Sequence, residues 1–300
     1  MFDLEPRAAP VLTLADGRRI GVSEFGDPHG RAVLWFHGTP GGSRQIPLTA
    51  RSIAEELGLR LIVVERPGVG RSTSHLHRNV AATADDIDQL ATGLGVDEFA
   101  VGALSGGGPY ALACAAKLEH RVIAAAILGG VAPSRGFEAV PGGLVGFATR
   151  LAPVFEAARV PLGLSLWALL RVTRPIGQLG IRTYAAFSPE GDRRVFEQPE
   201  MRAMFLDDLA VAGRSQFHAV PTDVVLFLRE WGFRLGDIRV PVRFWHGDAD
   251  NIVPLSHAEH MAALVPNSRL TVRGGESHLG GLDAAREVLE TLVELWDRRP

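Results

Sequence analysis

Runs of apolar residues alternate with amphipathic stretches along the first 130 residues of the chain. Continuous apolar runs such as "AVLWF", "LRLIVV", "EFAVGAL" and "RVIAAAIL" suit strands that are buried on both faces. The segments "IPLTARSIAEELG" and "NVAATADDIDQLATGLG" lie between them, show helical spacing and end near glycines. This alternation predicts βαβ crossovers and an α/β fold with a mostly parallel central sheet flanked by helices.

The pattern changes before and after this region. The segment "PVLTLADGRRIGVSEFG" predicts an antiparallel hairpin around Asp16 and Gly17. From Ser134 to Leu235 the pattern predicts short helices broken by prolines, namely Pro141, Pro153, Pro161, Pro175, Pro189, Pro199 and Pro221. Strands resume with "VPVRFWHG" and "SRLTV". We therefore expect a core domain of residues 1–133 and 236–300, with an all-helical cap inserted at 134–235.

Composition narrows the classes of partner. The net charge is −3 and the sequence has no basic block, so nucleic acid is not an expected partner. The N-terminus lacks the pattern of a secretory signal, and the uncharged stretches are shorter than the roughly 18 residues that a membrane span needs. A cytoplasmic protein without a membrane span is the expectation, and a homodimer is left open.

Ser105 is followed by three glycines, between a predicted strand and a predicted helix. A phosphate-binding loop would need a lysine after its glycine, and the chain's one lysine, Lys117, follows alanine. A helix start with Ser105 as its cap is a simpler alternative. The third hypothesis is a nucleophile elbow, which needs small residues two positions before and after the serine, and Ala103 and Gly107 satisfy it.

A nucleophilic serine needs a base and a carboxylate that orients the base. Downstream, "WHGDADNIVP" places acids after one predicted strand and "GGESHLGG" places His278 after the next. Both follow strands, at the edge of the sheet where ligands bind in open α/β folds. The order of serine, acid and histidine along the chain favours the elbow over the two alternatives.

These motifs resemble those of the α/β-hydrolase fold superfamily along essentially the whole chain. The acid loop of that superfamily commonly has the pattern G-x-x-D-x-x-V-P, which here is matched by Gly247, Asp250, Val253 and Pro254. The resemblance implies a catalytic triad of Ser105, Asp250 and His278. We expect Asp248 to shape the turn. Five other histidines are expected to be solvated, namely His75, His77, His120, His257 and His260.

The same resemblance implies an oxyanion hole. Its two backbone N–H donors would come from Gly106 and, through the loop "HGTPGGS", from Thr39. His37, Gly38, Pro40 and Gly107 would shape the surrounding loops. The superfamily more often has a larger residue at the position of Gly106, so we expect a roomier or more mobile oxyanion site here. The turn "ERPGVGRS" departs from the superfamily's pattern, and we expect Arg66 or Arg71 near the site.

A serine nucleophile implies acyl transfer to water, and no cofactor or metal motif is present in the sequence. A carboxylesterase acting on small or medium apolar esters is the first hypothesis, since the cap is rich in apolar and aromatic residues, Phe147, Phe155, Trp167, Phe187, Phe205, Phe217 and Phe227 among them. Three alternatives stay open. One is a proline-iminopeptidase-like aminopeptidase, with an amine bound by a cap acid such as Glu190, Glu197, Glu200 or Asp207. The others are a carbon–carbon bond hydrolase or perhydrolase, and a hydrolase-fold receptor.

Overall fold

The computed structural model describes residues 3–140, 152–213 and 218–299. Eight strands form one mixed sheet in the order β1-β2-β4-β3-β5-β6-β7-β8. Strand β2 pairs antiparallel with both of its neighbours, β1 and β4. All the other pairings, from β4 along the sheet to β8, are parallel. The strand bounds are Val11–Thr13, Arg19–Gly26, Arg31–Phe36, Leu59–Val64, Phe99–Leu104, Val122–Leu128, Val242–Gly247 and Ser268–Arg273 for β1 to β8.

Ten α-helices lie in the described part of the chain. Their bounds are Leu48–Glu56, Thr83–Gly93, Gly108–Lys117, Ala152–Thr173, Gly177–Phe187, Glu190–Glu197, Pro199–Ala212, Ala219–Phe227, Leu255–Leu264 and Ala285–Asp297 for α1 to α10. Helices α4 to α8 lie between β6 and β7 in the chain, within the predicted cap, whose boundaries stay a prediction. The predicted α/β fold class is confirmed by this architecture.

The strands β3 to β7 are buried on both faces of the sheet because they alternate two sets of apolar side chains. On β3, Leu34 and Phe36 belong to one buried cluster, whereas Val33 and Trp35 belong to another. This accounts for the continuous apolar runs in the sequence, since a strand covered by helices on both faces has no polar side. Because the strands from β4 to β8 in the sheet order are parallel, the carboxyl ends of β3, β5, β7 and β8 meet at one edge of the sheet, where their loops converge.

The predicted break at Pro161 is wrong. Helix α4 runs unbroken through this proline for 22 residues. A proline removes one backbone donor and usually kinks a helix, but the chain continues helical on both sides here. The other predicted breaks fit better, since Pro189 and Pro199 stand at the starts of α6 and α7. Pro141 lies outside the described residues.

Helix α4 also bears on the expectation about membranes. In the part of the chain that the structure describes, Pro153–Thr173 is long and apolar enough to cross a membrane, by length and composition only. The uncharged stretches counted in the sequence were too short because charged residues interrupt them, and the helix spans these interruptions. The absence of a membrane span therefore stays a prediction.

Candidate active site

Ser105 stands at the sharp turn between β5 and α3. Its φ is +51°, and no other non-glycine residue in the described part of the chain has a positive φ. This left-handed conformation is strained for a residue with a side chain. A Cβ at Gly107 would lie 2.2 Å from the Phe36 carbonyl oxygen, so the elbow does require the smallest residue two positions after the serine. The predicted elbow geometry is present in the structure.

The three residues of the predicted triad form one hydrogen-bonded chain. The Ser105 hydroxyl lies 2.8 Å from His278 Nε2, and His278 Nδ1 lies 2.7 Å from Asp250 Oδ2. Ser105, His278 and Asp250 are 8%, 7% and 7% exposed. The three loops that carry them follow β5, β8 and β7, whose carboxyl ends meet at one edge of the sheet. The structure thus brings together residues that are up to 173 positions apart.

Asp250 is held as a charged acceptor. Burial alone would raise its pKa, but hydrogen bonds from His246 and His278 outweigh burial and hold the pKa well below its usual value. Its other oxygen accepts the backbone N–H groups of Ile252 and Val253, each at 2.9 Å. An ionised Asp250 selects the His278 tautomer with the proton on Nδ1, which leaves Nε2 free to accept a proton from Ser105.

His246 was missed at the sequence level. It is buried on β7, and its Nε2 lies 2.7 Å from the Val253 carbonyl oxygen and 3.3 Å from Asp250 Oδ2. It therefore contacts the acid loop at both Asp250 and Val253 and stabilises its conformation. The motif "WHGDAD" contained the signal, because a histidine at the last-but-one position of a buried strand lies beside the loop that follows it. Asp248, as predicted, shapes the turn, since its Oδ1 accepts the Gly275 N–H at 2.7 Å.

The loop after β3 is clamped from behind by His37 and Arg66. His37 Nδ1 and Arg66 Nη2 lie 2.9 and 2.7 Å from the Gly38 carbonyl oxygen. Burial and the neighbouring Arg66 charge lower the pKa of His37 well below its usual value, so this histidine is neutral. The predicted loop-shaping contact of His37 is present, and of the two arginines Arg66 is the one near the site. Arg71 instead pairs with the buried Glu65 at 2.8 Å.

The expectation of a roomier site at Gly106 is wrong. A Cβ at this position would lie 2.3 Å from Thr39 Oγ1, and 3.3 Å from a ring carbon of Phe227. The space that a larger side chain would occupy is therefore already filled by Thr39. The cis peptide bond between Thr39 and Pro40 lies in the same loop.

Helix α8 contributes a buried carboxylate that the sequence analysis did not single out. Asp223 Oδ2 accepts the Thr39 hydroxyl at 2.8 Å and pairs with Arg66 at 3.1 Å. Its Oδ1 accepts the Tyr110 hydroxyl at 2.8 Å. Burial raises the pKa of Asp223, and the Arg66 charge opposes that rise. No local motif marks Asp223, since its partners lie more than 100 positions away in the chain.

Two further buried aspartates hold other loops of the site. Asp192 on α6 accepts the Ser277 hydroxyl at 2.5 Å and the Leu279 N–H at 2.7 Å, on either side of His278. Asp208 on α7 accepts the N–H groups of Gly42 and Arg44 at 2.8 and 2.9 Å. Each of the helices α6, α7 and α8 thus anchors one loop near Ser105 through a single aspartate.

Asp208 gives a test through pH. Burial raises its pKa to about 7, against the hydrogen bonds from Arg44 and Gly42. A raised carboxyl pKa in the folded state means that this group contributes stability below its unfolded pKa of 3.8 and loses that contribution as pH rises through 7. We expect Asp208→Asn to flatten this part of the pH dependence of the free energy of unfolding, measured by urea denaturation between pH 4 and 8. An unchanged slope would contradict the burial of an ionisable group at this position.

Two of the histidines expected to be solvated are buried, so that expectation is wrong for them. His77 is 5% exposed and its Nε2 lies 2.9 Å from an Asp86 oxygen. His257 is fully buried, and its Nδ1 accepts the Ala132 N–H at 3.1 Å. Helical context alone did not reveal which face of α9 is covered. Within the described residues, no group of three His, Cys, Asp or Glu side chains is placed to hold a metal ion.

A family model described as alpha/beta hydrolase fold matches residues 31–285. The chain belongs to the α/β-hydrolase fold family. This membership confirms the resemblance inferred from the sequence motifs. Structures of this family that resemble the chain include an α/β-hydrolase fold protein from Nakamurella multipartita, with a TM-score of 0.68 and 24% identity over 96% of this chain and 98% of that one. A bromoperoxidase from Bacillus anthracis has a TM-score of 0.69 and 19% identity over 96% of this chain and 100% of that one.

Curated relatives of this α/β-hydrolase include a haloperoxidase and proline iminopeptidases. A non-heme haloperoxidase from Rhodococcus erythropolis is 29% identical over 280 residues, which cover 90% of this chain and 92% of that protein. A proline iminopeptidase from Xanthomonas citri is 33% identical over 117 residues, which cover 38% of this chain. That match spans only 37% of the iminopeptidase's own length.

Proposed function

We propose that this α/β-hydrolase is a serine hydrolase that works through an acyl-enzyme, with Ser105, His278 and Asp250 as its catalytic triad. The observation that carries the proposal is the continuous hydrogen-bonded chain from the Ser105 hydroxyl through both ring nitrogens of His278 to Asp250, with distances of 2.8 and 2.7 Å. The strained φ of +51° at Ser105 supports it, because such strain is typical of a nucleophile held on the tight turn between a strand and a helix.

In the first half of the reaction, Ser105 Oγ attacks the carbonyl carbon of the substrate and transfers its proton to His278 Nε2. Asp250 stabilises the imidazolium that forms, through its hydrogen bond to Nδ1. The negative charge moves to the carbonyl oxygen, which accepts hydrogen bonds from the N–H groups of Thr39 and Gly106. The tetrahedral intermediate collapses, His278 gives its proton to the leaving group, and the acyl group stays on Ser105.

In the second half, water takes the place of the leaving group. His278 accepts a proton from the water as the oxygen attacks the acyl carbon, and a second tetrahedral intermediate forms in the same oxyanion hole. Collapse of this intermediate returns the proton to Ser105 Oγ and releases a carboxylic acid. One ester and one water are consumed, and the enzyme is regenerated.

The substrate class that we propose is a small or medium apolar carboxylic ester. Phe227 packs beside Gly106 and against Tyr110, with ring centroids 6.0 Å apart, so an apolar surface lies next to the nucleophile. Phe205 and Trp231 are buried as well, whereas Phe187 is 88% exposed, and Phe147 and Phe217 lie outside the described residues. An apolar acyl group matches these surroundings better than a charged one.

The aminopeptidase alternative would need a carboxylate that is available for an amine. Glu190 is exposed and pairs with Arg194 at 3.5 Å, and Asp207 pairs with Arg44 at 3.2 Å. Both of these carboxylates are engaged by arginines, so they give that alternative no support. The receptor alternative would bind a ligand beneath the same cap and would not need to hydrolyse it.

A panel of substrates separates these functions. We expect measurable hydrolysis of p-nitrophenyl acetate and butyrate, faster than that of proline-naphthylamide, and complete loss of ester turnover in Ser105→Ala. Steady cleavage of proline-naphthylamide without ester turnover would favour the aminopeptidase. Binding of esters without turnover, equal in the wild type and in Ser105→Ala, would favour the receptor.

A perhydrolase is the second candidate, because the relative that matches 90% of the chain is named a non-heme haloperoxidase. In that reaction hydrogen peroxide attacks the acyl-enzyme in place of water, which releases a peracid and restores the Ser105 hydroxyl. The peracid then oxidises bromide. Bromination of monochlorodimedone that needs acetate, bromide and peroxide together, and that disappears in Ser105→Ala, would establish this activity.

The contact between Gly106 and Thr39 gives a test of the oxyanion hole. In Gly106→Ala the new methyl must displace Thr39, since its Cβ would lie 2.3 Å from Thr39 Oγ1. We expect kcat to fall by roughly 10- to 100-fold, because a donor displaced by about 1 Å stabilises the transition state poorly. Gly180→Ala is the matched control, since nothing lies within 4 Å of a Cβ there. Equal activity of the two variants would argue against Thr39 and Gly106 as neighbouring donors.

A further inference from the structure

Arg66 is buried beneath both proposed oxyanion donors. Its side chain is 1% exposed, and it donates to the carbonyl oxygens of Gly38 and Gly106 at 2.7 and 2.8 Å. It also donates to Thr39 Oγ1 at 2.8 Å. A single guanidinium therefore contacts the two backbone segments that would bind the oxyanion, and its planar fork holds several acceptors in a fixed geometry at once.

The contact with Gly38 determines where the Thr39 N–H points. The Gly38 carbonyl and the Thr39 N–H belong to the same peptide group, which is planar and trans, so the two point in opposite directions. Holding the carbonyl toward Arg66 and His37 turns the N–H to the opposite side. A peptide flip would break both hydrogen bonds to the carbonyl and would turn the donor away.

Asp223 provides the charge that lets Arg66 stay buried. It pairs with Arg66 at 3.1 Å and has a side chain that is 2% exposed. His37, the histidine beside Arg66, is neutral and offers no compensating charge. A buried cation without its counter-ion is strongly destabilised, so Arg66 would move or rehydrate if Asp223 lost its charge. Asp223 also accepts the Thr39 hydroxyl directly at 2.8 Å.

We propose that the buried Arg66–Asp223 ion pair is the device that fixes the direction of the Thr39 N–H, so that oxyanion stabilisation depends on α8. Both are positioning residues, because they act through the Gly38–Thr39 peptide. The proposal rests on the function proposed above and adds a specific dependence to it. A core arginine and a carboxylate between β6 and β7 in the chain must both be in place before the oxyanion site is formed.

The test compares an ester with its thionoester analogue, in which sulfur replaces the carbonyl oxygen. Sulfur accepts hydrogen bonds weakly, so an intact oxyanion hole favours the oxygen ester. In Asp223→Asn and in Arg66→Lys we expect kcat for p-nitrophenyl acetate to fall by roughly 10- to 1000-fold, with KM changed by less than about threefold. The thionoester should lose much less, so the preference for oxygen over sulfur should shrink in both variants.

Glu24→Gln is the matched control for the loss of a buried ion pair. Glu24 is 3% exposed on β2 and pairs with Arg7 and Arg60 at 2.8 and 3.0 Å, without contact to the oxyanion loop. We expect this variant to lower the melting temperature while keeping the preference for oxygen over sulfur. Equal losses on both substrates in Asp223→Asn, with the wild-type preference retained, would overturn the proposal.

A crystal structure of Asp223→Asn separates this proposal from the proposed function. We expect Arg66 to be displaced and the Gly38–Thr39 peptide to be rotated or disordered. A peptide with the wild-type orientation in the folded variant would overturn the role of the ion pair, whatever the enzyme's activity. A wild type without any Ser105-dependent ester turnover would instead overturn the proposed function.

Discussion

The variants Ser105→Ala and His278→Ala should each lower kcat for ester hydrolysis by roughly three to six orders of magnitude. The double variant should have a kcat barely lower than that of either single variant. The reason is that the two side chains perform one step together. Without the base, the Ser105 hydroxyl keeps its proton, and without the hydroxyl, His278 has no proton to take. The 2.8 Å contact between Oγ and Nε2 is the geometry of that transfer. Single-turnover kinetics on p-nitrophenyl butyrate gives the three rate constants.

The control variants for this prediction are Ser52→Ala and His120→Ala, both at exposed positions. They should keep wild-type rates. Losses that multiply in Ser105→Ala/His278→Ala would mean that the two residues act in separate steps. The proposed transfer of a proton between them would then be wrong.

The second large effect is expected in Asp250→Asn, with kcat lowered by on the order of 10²- to 10⁴-fold. An amide at this position would lose the charge that stabilises the imidazolium, and its NH₂ could face His278 Nδ1 and select the wrong tautomer. KM should change little, because Asp250 is buried behind His278 and is not placed to contact the substrate. Steady-state kinetics together with a thermal melt separates this loss from unfolding.

Asp248→Asn is the matched control for that experiment. Asp248 lies two positions away, and its Oδ1 accepts the Gly275 N–H at 2.7 Å, a contact that an asparagine oxygen can keep. We expect this variant to retain activity within a few-fold of the wild type. If Asp248→Asn were the more damaging of the two, the assignment of Asp250 as the acid would be wrong.

Local patterns in the sequence predicted the fold, and together with the resemblance to the α/β-hydrolase superfamily they predicted the hydrogen-bonded chain. The apolar runs that became β3 to β7 predict strands covered on both faces, and parallel strands bring their carboxyl ends to one edge. Ser105 and His278 each stand in a loop directly after a strand, whereas the choice of Asp250 over Asp248 rested on the resemblance to the superfamily's acid loop. Such information is local, and it survives without knowledge of tertiary contacts.

The three aspartates that were missed act across the chain. Asp192, Asp208 and Asp223 lie on three different helices, and their partners are loops between 85 and 184 positions away. Nothing local tells a buried aspartate from a solvated one. Only the packing of α6, α7 and α8 against the loops makes these carboxylates acceptors.

The wrong expectations have the same origin. We expected space beside Gly106 because this residue lacks a side chain, but Thr39 fills that space from a loop far away in sequence. Pro161 was expected to end a helix, yet α4 continues through it. In each of these cases a tertiary contact or a longer helix overrode what the residue type alone favours.

The central claim, that Ser105 is the nucleophile, is tested most directly by the intact mass of the protein after reaction with a fluorophosphonate. The account predicts one adduct per chain, located on the peptide that contains Ser105 and formed in competition with p-nitrophenyl butyrate. Ser105→Ala should gain no mass, and His278→Ala should react far more slowly than the wild type. An adduct of equal yield on Ser105→Ala, or no adduct on an active wild-type enzyme, would contradict it.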